Sequence, residues 1–157
     1  MKNNIRPTIA RDYAFKFLYH TQLAIFKEND LFDIESLNEK LEIFYTSFLE
    51  QDVEHHDNSI NNDTVKYAHE LIKGILVNHQ QLKEKIAQNS NNWPLARIDK
   101  IDLTVLLIGT FELIFLKSTP AKVAINEAIN LVKKYGNKES YAFVNGILQS
   151  IWTSPPL

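Results

Sequence analysis

The stretch Ile101-Asp102-Leu103-Thr104-Val105-Leu106-Leu107-Ile108-Gly109-Thr110-Phe111-Glu112-Leu113-Ile114-Phe115-Leu116 decides the fold. It is apolar on nearly every side, yet Asp102, Thr104, Thr110 and Glu112 interrupt it. A bilayer-spanning helix needs about 20 consecutive apolar residues, so this segment is too short and too polar to cross a membrane. A helix that is apolar all round is buried in protein. The stretch therefore predicts a central helix contacted from several sides. Asp99 is placed to cap its start. Lys117-Ser118-Thr119-Pro120 ends it, because the residue before a proline disfavours the α region.

Upstream of this segment, apolar residues recur at spacings of three and four, the helical period. A first helix follows Pro7 with Thr8 as its predicted N-cap, and Ala10, Ala14, Phe17, Leu18, Thr21 and Ile25 share one face. Phe15, Tyr19 and Phe26 form a second stripe, either more core or a contact surface. A second helix, capped by Asp33 or Ser36, buries Leu37, Leu41, Phe44, Tyr45 and Phe48. Gln51 to Asn62 is polar and reads as a loop. Asn62 or Asp63 then caps one helix of about six turns, with a stripe running from Val65 to Ile86. Asn89-Ser90-Asn91-Asn92 breaks it, and Trp93-Pro94-Leu95 reads as a short turn or a single helical turn.

Downstream, a helix from about Ala121 to Tyr135 buries Ile125, Ala128, Ile129 and Val132. Gly136 is expected in the left-handed conformation of a C′ residue. A last helix runs from about Glu139 to Trp152 with Val144, Ile147, Leu148 and Ile151 inward, and residues 153–157 read as a frayed tail. With only four glycines and five prolines, few turns are marked, and no segment has the strand period. The expectation is an all-α chain of about six to seven helices. Its 157 residues suit a single domain with its own core. The polar loop divides it into an N-terminal sub-bundle of about 8–60 and a C-terminal one of about 61–153.

Composition removes whole classes of chemistry. The chain has no cysteine, which excludes disulfides, thiolate metal sites and cysteine nucleophiles and agrees with a reducing compartment. Met1 to Pro7 holds no apolar signal-peptide core. A cytoplasmic location is expected. His20, His55, His56, His69 and His79 form no tight ligand spacing; His55-His56 sits in the polar loop, and His79 falls at the edge of an apolar face. There is no glycine-rich phosphate loop and no GxSxG elbow. Asp99 and Asp102 lie at the start of one helix, where the dipole favours acidic groups, so they need no acid–base role. No enzyme, metal or cofactor is expected.

The net charge of −2 does not suggest a general nucleic-acid binder, but its distribution does more. Lys2, Arg6, Arg11 and Lys16 stand against Asp12 alone in the first sixteen residues. Residues 27–92 hold six lysines against thirteen acidic residues, whereas residues 117–139 hold five lysines against Glu127 and Glu139. Two basic ends meeting on one face would attract phosphate; scattered solubilising lysines are the alternative. Lys133, Lys134, Tyr135 and Phe143 collect at the junction before the last helix. Lysines for phosphate and aromatic rings for bases are what single-stranded RNA requires, and the helix start at Glu139–Tyr141 adds free N–H groups. Asn126 and Asn145 lie in apolar helical context and are expected to bridge neighbouring elements, with Gly146 allowing close backbone approach.

Three motifs carry a family resemblance. Pro120-Ala121-Lys122-Val123-Ala124-Ile125-Asn126-Glu127-Ala128, Lys133-Lys134-Tyr135-Gly136 and Phe143-Val144-Asn145-Gly146-Ile147-Leu148 together resemble the signature of the NusB family. Ile101-Asp102 with Phe111-Glu112-Leu113, and Ala10-Arg11-Asp12 with Leu18-Tyr19 and Gln22, resemble its central and first helices. The resemblance implies two packed helical bundles and a cytoplasmic transcription antitermination factor acting on ribosomal RNA transcription. It implies boxA RNA of the nascent transcript and NusE, a protein of the small ribosomal subunit, as partners within the RNA polymerase antitermination complex. Matched residue by residue, it places RNA contacts at Arg6, Arg11, Tyr19, Lys134, Tyr135, Glu139 and Phe143. It places the NusE surface on the central helix, with Asp99 and Asp102.

Two departures from the pattern open an alternative. Pro7, Thr8 and Ile9 stand where the family commonly has basic residues, and Leu103 and Leu107 replace two arginines on the central helix. Each missing phosphate contact weakens salt-dependent binding. The alternative is a protein-interaction adaptor, or a homodimer as some relatives form, with weak or no RNA binding and an apolar interface enlarged by those leucines.

Overall fold

A computed structural model of the chain describes residues 4–22, 34–51 and 60–154. Among the described residues there are seven α-helices and no strand: α1 Pro7–Gln22, α2 Ile34–Gln51, α3 Asn62–Val77, α4 His79–Gln88, α5 Lys100–Ile114, α6 Ala121–Tyr135 and α7 Lys138–Thr153. One 3₁₀ turn spans Leu95–Arg97. The all-α expectation holds. The chain divides into two compact units, Met1–Lys73 and Gly74–Leu157, so α3 begins in the first and ends in the second.

In the first unit, aromatic packing joins the helices. Tyr13 of α1 is fully buried, with its ring edge-on to Phe44 at 5.0 Å and to Phe48 at 4.8 Å, both on α2. Phe17 meets Phe44 edge-on at 5.3 Å. Edge-to-face contacts suit the ring quadrupoles. Leu37, Leu41 and Phe48 of the expected α2 stripe are buried, while Phe44 and Tyr45 are half-buried. Ile25, Phe26, the Asp33 cap and most of the expected 51–62 loop, His55 and His56 included, lie outside the described residues.

Two expected caps in this unit are displaced, and the Ser36 alternative lies inside α2 rather than at its start. α1 begins at Pro7, and the Ala10 amide donates to Arg6 O, so Pro7 rather than Thr8 opens the helix. Proline suits a first helical position because its missing N–H has no partner there in any case. α3 is capped by Asn61, whose Oδ1 accepts from the Thr64 amide at 2.8 Å, one residue ahead of the expected cap.

The second unit is built on α5. Its side chains from Thr104 to Glu112 are all buried. α5 packs against α4, α6 and α7, as its all-round apolar sequence requires. Asp99 caps it, Oδ1 accepting from the Ile101 amide at 2.8 Å. Three expectations are corrected here. The six-turn helix is two helices, α3 and α4, separated at Asn78, whose Nδ2 donates to Gly74 O at 2.8 Å. The Asn78 backbone N–H donates to the same carbonyl at 3.1 Å, so Gly74 O accepts twice at the interruption. Gly136 is extended, φ −94° and ψ −169°, rather than left-handed. Glycine is needed there for space: a Cβ would lie 2.9 Å from Val132 O and 3.0 Å from Ser140 Cβ. At Gly146 a Cβ would meet nothing within 4 Å, so close approach does not account for that glycine.

Candidate nucleic-acid interface

The predicted RNA residues fall in both units. In the first, Arg6 is exposed just ahead of α1, its backbone N–H donating to Thr64 Oγ1 at 3.0 Å. Arg11 is buried, only 4% exposed. A guanidinium so enclosed offers little surface to a phosphate. Tyr19 is half-buried and stacks on Phe15, ring centroids 5.9 Å apart and planes within 8°. Phe15 itself is buried, so the second aromatic stripe of α1 is core at Phe15 and partly open at Tyr19. Lys16, also basic, pairs with Asp12 at 3.3 Å and lies 5.3 Å from the Phe48 ring centroid.

In the second unit the junction of α6 and α7 gathers the rest. Val132 and Leu131 turn inward, so Lys133 and Lys134 project to solvent. The chain then reverses at Gly136 and is held by a reciprocal cap. Asn137 Oδ1 accepts from the Ser140 amide at 3.0 Å, and the Asn137 amide donates to Ser140 Oγ. This fixes the first turn of α7 and hence Glu139, Tyr141 and Phe143. Lys134 Nζ lies 5.2 Å from the Tyr135 ring centroid and Lys133 Nζ 5.4 Å from that of Tyr141. Such pairs hold ammonium groups close to aromatic faces. Tyr135 and Phe143 are half-buried, and Lys134, Glu139 and Tyr141 are exposed.

Trp93, not assigned to the site from sequence, stands beside this junction. Its ring centroid is 6.3 Å from that of Phe143, with planes at 64°. It is 49% exposed. The signal for it was present: a large aromatic residue in a polar break, outside every apolar stripe.

Asp99 and Asp102, expected on a partner surface, differ in environment. Asp99 is exposed and occupied in capping α5. Asp102 is buried, and its Oδ1 meets no hydrogen-bond donor among the described residues. Burial pushes its carboxyl above the ordinary carboxylate range, Asp99 adds to that, and a hydrogen bond with Ser140 opposes it. Leu107 is fully buried, so it belongs to the core and does not enlarge an exposed interface. Asn126 is exposed on α6 rather than bridging elements, because the inward face passes through Ile125, Ala128 and Ile129. No helix among the described residues is long and apolar enough to cross a membrane.

The model of the NusB family matches residues 8–152. The transcription antitermination protein NusB of Clostridium novyi (strain NT) is 41% identical over 104 residues, 66% of this chain and 78% of its own length. That of Clostridium botulinum (strain Kyoto / Type A2) is 36% identical over 140 residues, 88% of this chain and 94% of its own. Among solved structures, T. maritima NusB superposes with a TM-score of 0.75 at 29% identity, covering 98% of this chain and 94% of that one. A chain in the crystal structure of the antitermination factors NusB and NusE in complex with double-stranded RNA does so at 0.71 and 27% identity, covering 93% and 95%.

Proposed function

The chain belongs to the NusB family, and on that premise we propose that it is a cytoplasmic, non-enzymatic transcription antitermination factor. It binds boxA RNA of nascent ribosomal RNA transcripts together with NusE and joins them to the RNA polymerase antitermination complex. The observation that carries this is the α6–α7 junction, where lysines and aromatic rings are clustered on a capped, rigid turn. Lys134, with Arg6 on the first unit, meets phosphates. Tyr135, Phe143 and Tyr19 engage bases and sugars, and Glu139 accepts from base or ribose donors. Asp99 and Asp102 contribute to the NusE surface of α5. A relative has been crystallised with NusE and double-stranded RNA, which supports the pairing of the two partners.

A boxA-dependent read-through reporter in a bacterium lacking its own NusB tests this. Restored read-through past a terminator supports the proposal, and loss of that effect in Phe143→Ala localises it. A folded, well-expressed chain that restores nothing would contradict it.

The second reading, an adaptor with little RNA affinity of its own, is favoured by the first unit. Pro7 and Thr8 are exposed but uncharged, and Arg11 is buried. Fewer phosphate contacts mean a shallower salt dependence and weaker binding. It predicts association with NusE but no boxA binding at physiological salt.

A further inference from the structure

We propose that Trp93 is a second base-stacking platform beside Phe143, so that this end of the second unit takes two unstacked bases of single-stranded RNA. The inference rests on the RNA-binding function proposed above and adds a residue to it.

Trp93 is 49% exposed, and hydrogen bonds order the loop that carries it. The Trp93 amide donates to Ser90 O at 2.9 Å, and the single Ser90 hydroxyl proton is shared between Trp93 O at 2.8 Å and Ala87 O at 3.0 Å. Asn91 and Asn92 adopt φ of 47° and 67°, the left-handed region that asparagine tolerates better than most residues. Asn89 anchors the loop to α7, its Oδ1 accepting from Ser150 Oγ at 2.6 Å. The Ile98 side chain is buried just beyond the loop. These bonds order the backbone that carries Trp93, and about half of its side chain faces solvent beside Phe143.

The surroundings select the ligand. An edge-on partner at 64° leaves ring faces pointing in two directions, which suits two bases that are no longer stacked on each other. Lys133 and Lys134 follow in the same unit as phosphate partners. Stacking needs only a π-face, so the platform tolerates any base, and bases paired and stacked within a duplex do not present a free face to it.

Trp93→Ala and Trp93→Tyr are titrated with labelled single-stranded boxA RNA in the presence of NusE, and with the same sequence as a duplex. The expected result is an affinity loss of about 5- to 100-fold for Trp93→Ala on the single strand, recovery by Trp93→Tyr, and little change on the duplex. Unchanged single-strand affinity in a folded Trp93→Ala protein, or equal loss on the duplex, overturns the inference while the RNA function stands. No RNA binding by the unaltered protein removes both. If Trp93→Ala melts markedly lower, Trp152→Phe leaves Trp93 as the chain's single tryptophan. Emission quenched in step with RNA binding then supports the platform, and unchanged emission overturns it.

Discussion

The Tyr13 hydroxyl and His69 Nε2 are 2.9 Å apart, joining α1 to α3 within the first unit. Burial first, and Lys73 second, lower the His69 pKa, and burial raises that of Tyr13. At neutral pH the imidazole is neutral and shares one hydrogen bond with the hydroxyl. His69 is harder to protonate folded than unfolded, so the unfolded chain binds the extra proton first. Stability is full above the unfolded histidine value of about 6.5 and declines as pH falls from there toward the folded value. His79, lowered by burial and Lys83, acts in the same direction. Denaturant melts between pH 7 and 5 are expected to show a falling midpoint, with a shallower fall in His69→Gln. An identical slope in that variant would remove His69 as a cause.

Tyr13→Phe keeps the ring contacts with Phe44 and Phe48 and deletes only the hydroxyl. The expected cost is about 0.5–1.5 kcal/mol, the range for one hydrogen bond, read from chemical denaturation at pH 7.

Gly74 and Phe111 make a sign-reversing pair. A Cβ on Gly74 would lie 2.3 Å from Phe111 Cζ, and Phe111 is buried and stacked on Phe115 at 5.4 Å. Gly74→Ala is expected to cost about 1–3 kcal/mol from overpacking. In a Phe111→Ala background the same change gains up to about 1 kcal/mol of helix propensity. A double-mutant cycle measures this, and additive effects would contradict the contact.

The cap of α7 is separable from RNA contact. Asn137→Ala is expected to lower stability by about 1 kcal/mol, and Asn137→Asp to retain most of it, since both residue types cap well. RNA affinity of the folded fraction is expected to change less than in Phe143→Ala. Equal losses would mean that ordering of the turn dominates recognition.

Asp102 gives a pH effect of the opposite sign. Its raised pKa means that stability is fully present below the unfolded carboxylate value and is lost as pH rises through the folded one. Asp102→Asn is therefore expected to melt higher than the unaltered chain at pH 7, with the difference disappearing near pH 4. Weaker NusE association in the same variant would tie the buried acid to function.

The sequence made the helical class and most helix positions legible because periodicity reports burial directly. α5 was readable from an unbroken apolar run, and Asp99 from its place before it. Features set by the local geometry of a single residue were not readable. The interruption at Asn78 divides what the period of three and four joins. Gly136 looked left-handed because helix ends often are, whereas its neighbours Val132 and Ser140 demand a missing Cβ. Within the candidate site, Lys134, Tyr135 and Phe143 came from the family motif together with local charge. Burial of Arg11 is hidden because an arginine on a helix is ordinarily exposed, and Trp93 lies in a polar break outside the family motifs.

The most direct test is fluorescence anisotropy of labelled boxA RNA titrated with this protein alone and then with NusE. The expected outcome is sequence-selective binding that is strong with NusE, weaker without it, and reduced by added salt. Absence of RNA binding in both titrations, with NusE still associating, would contradict the RNA-binding function and leave the fold as a protein adaptor.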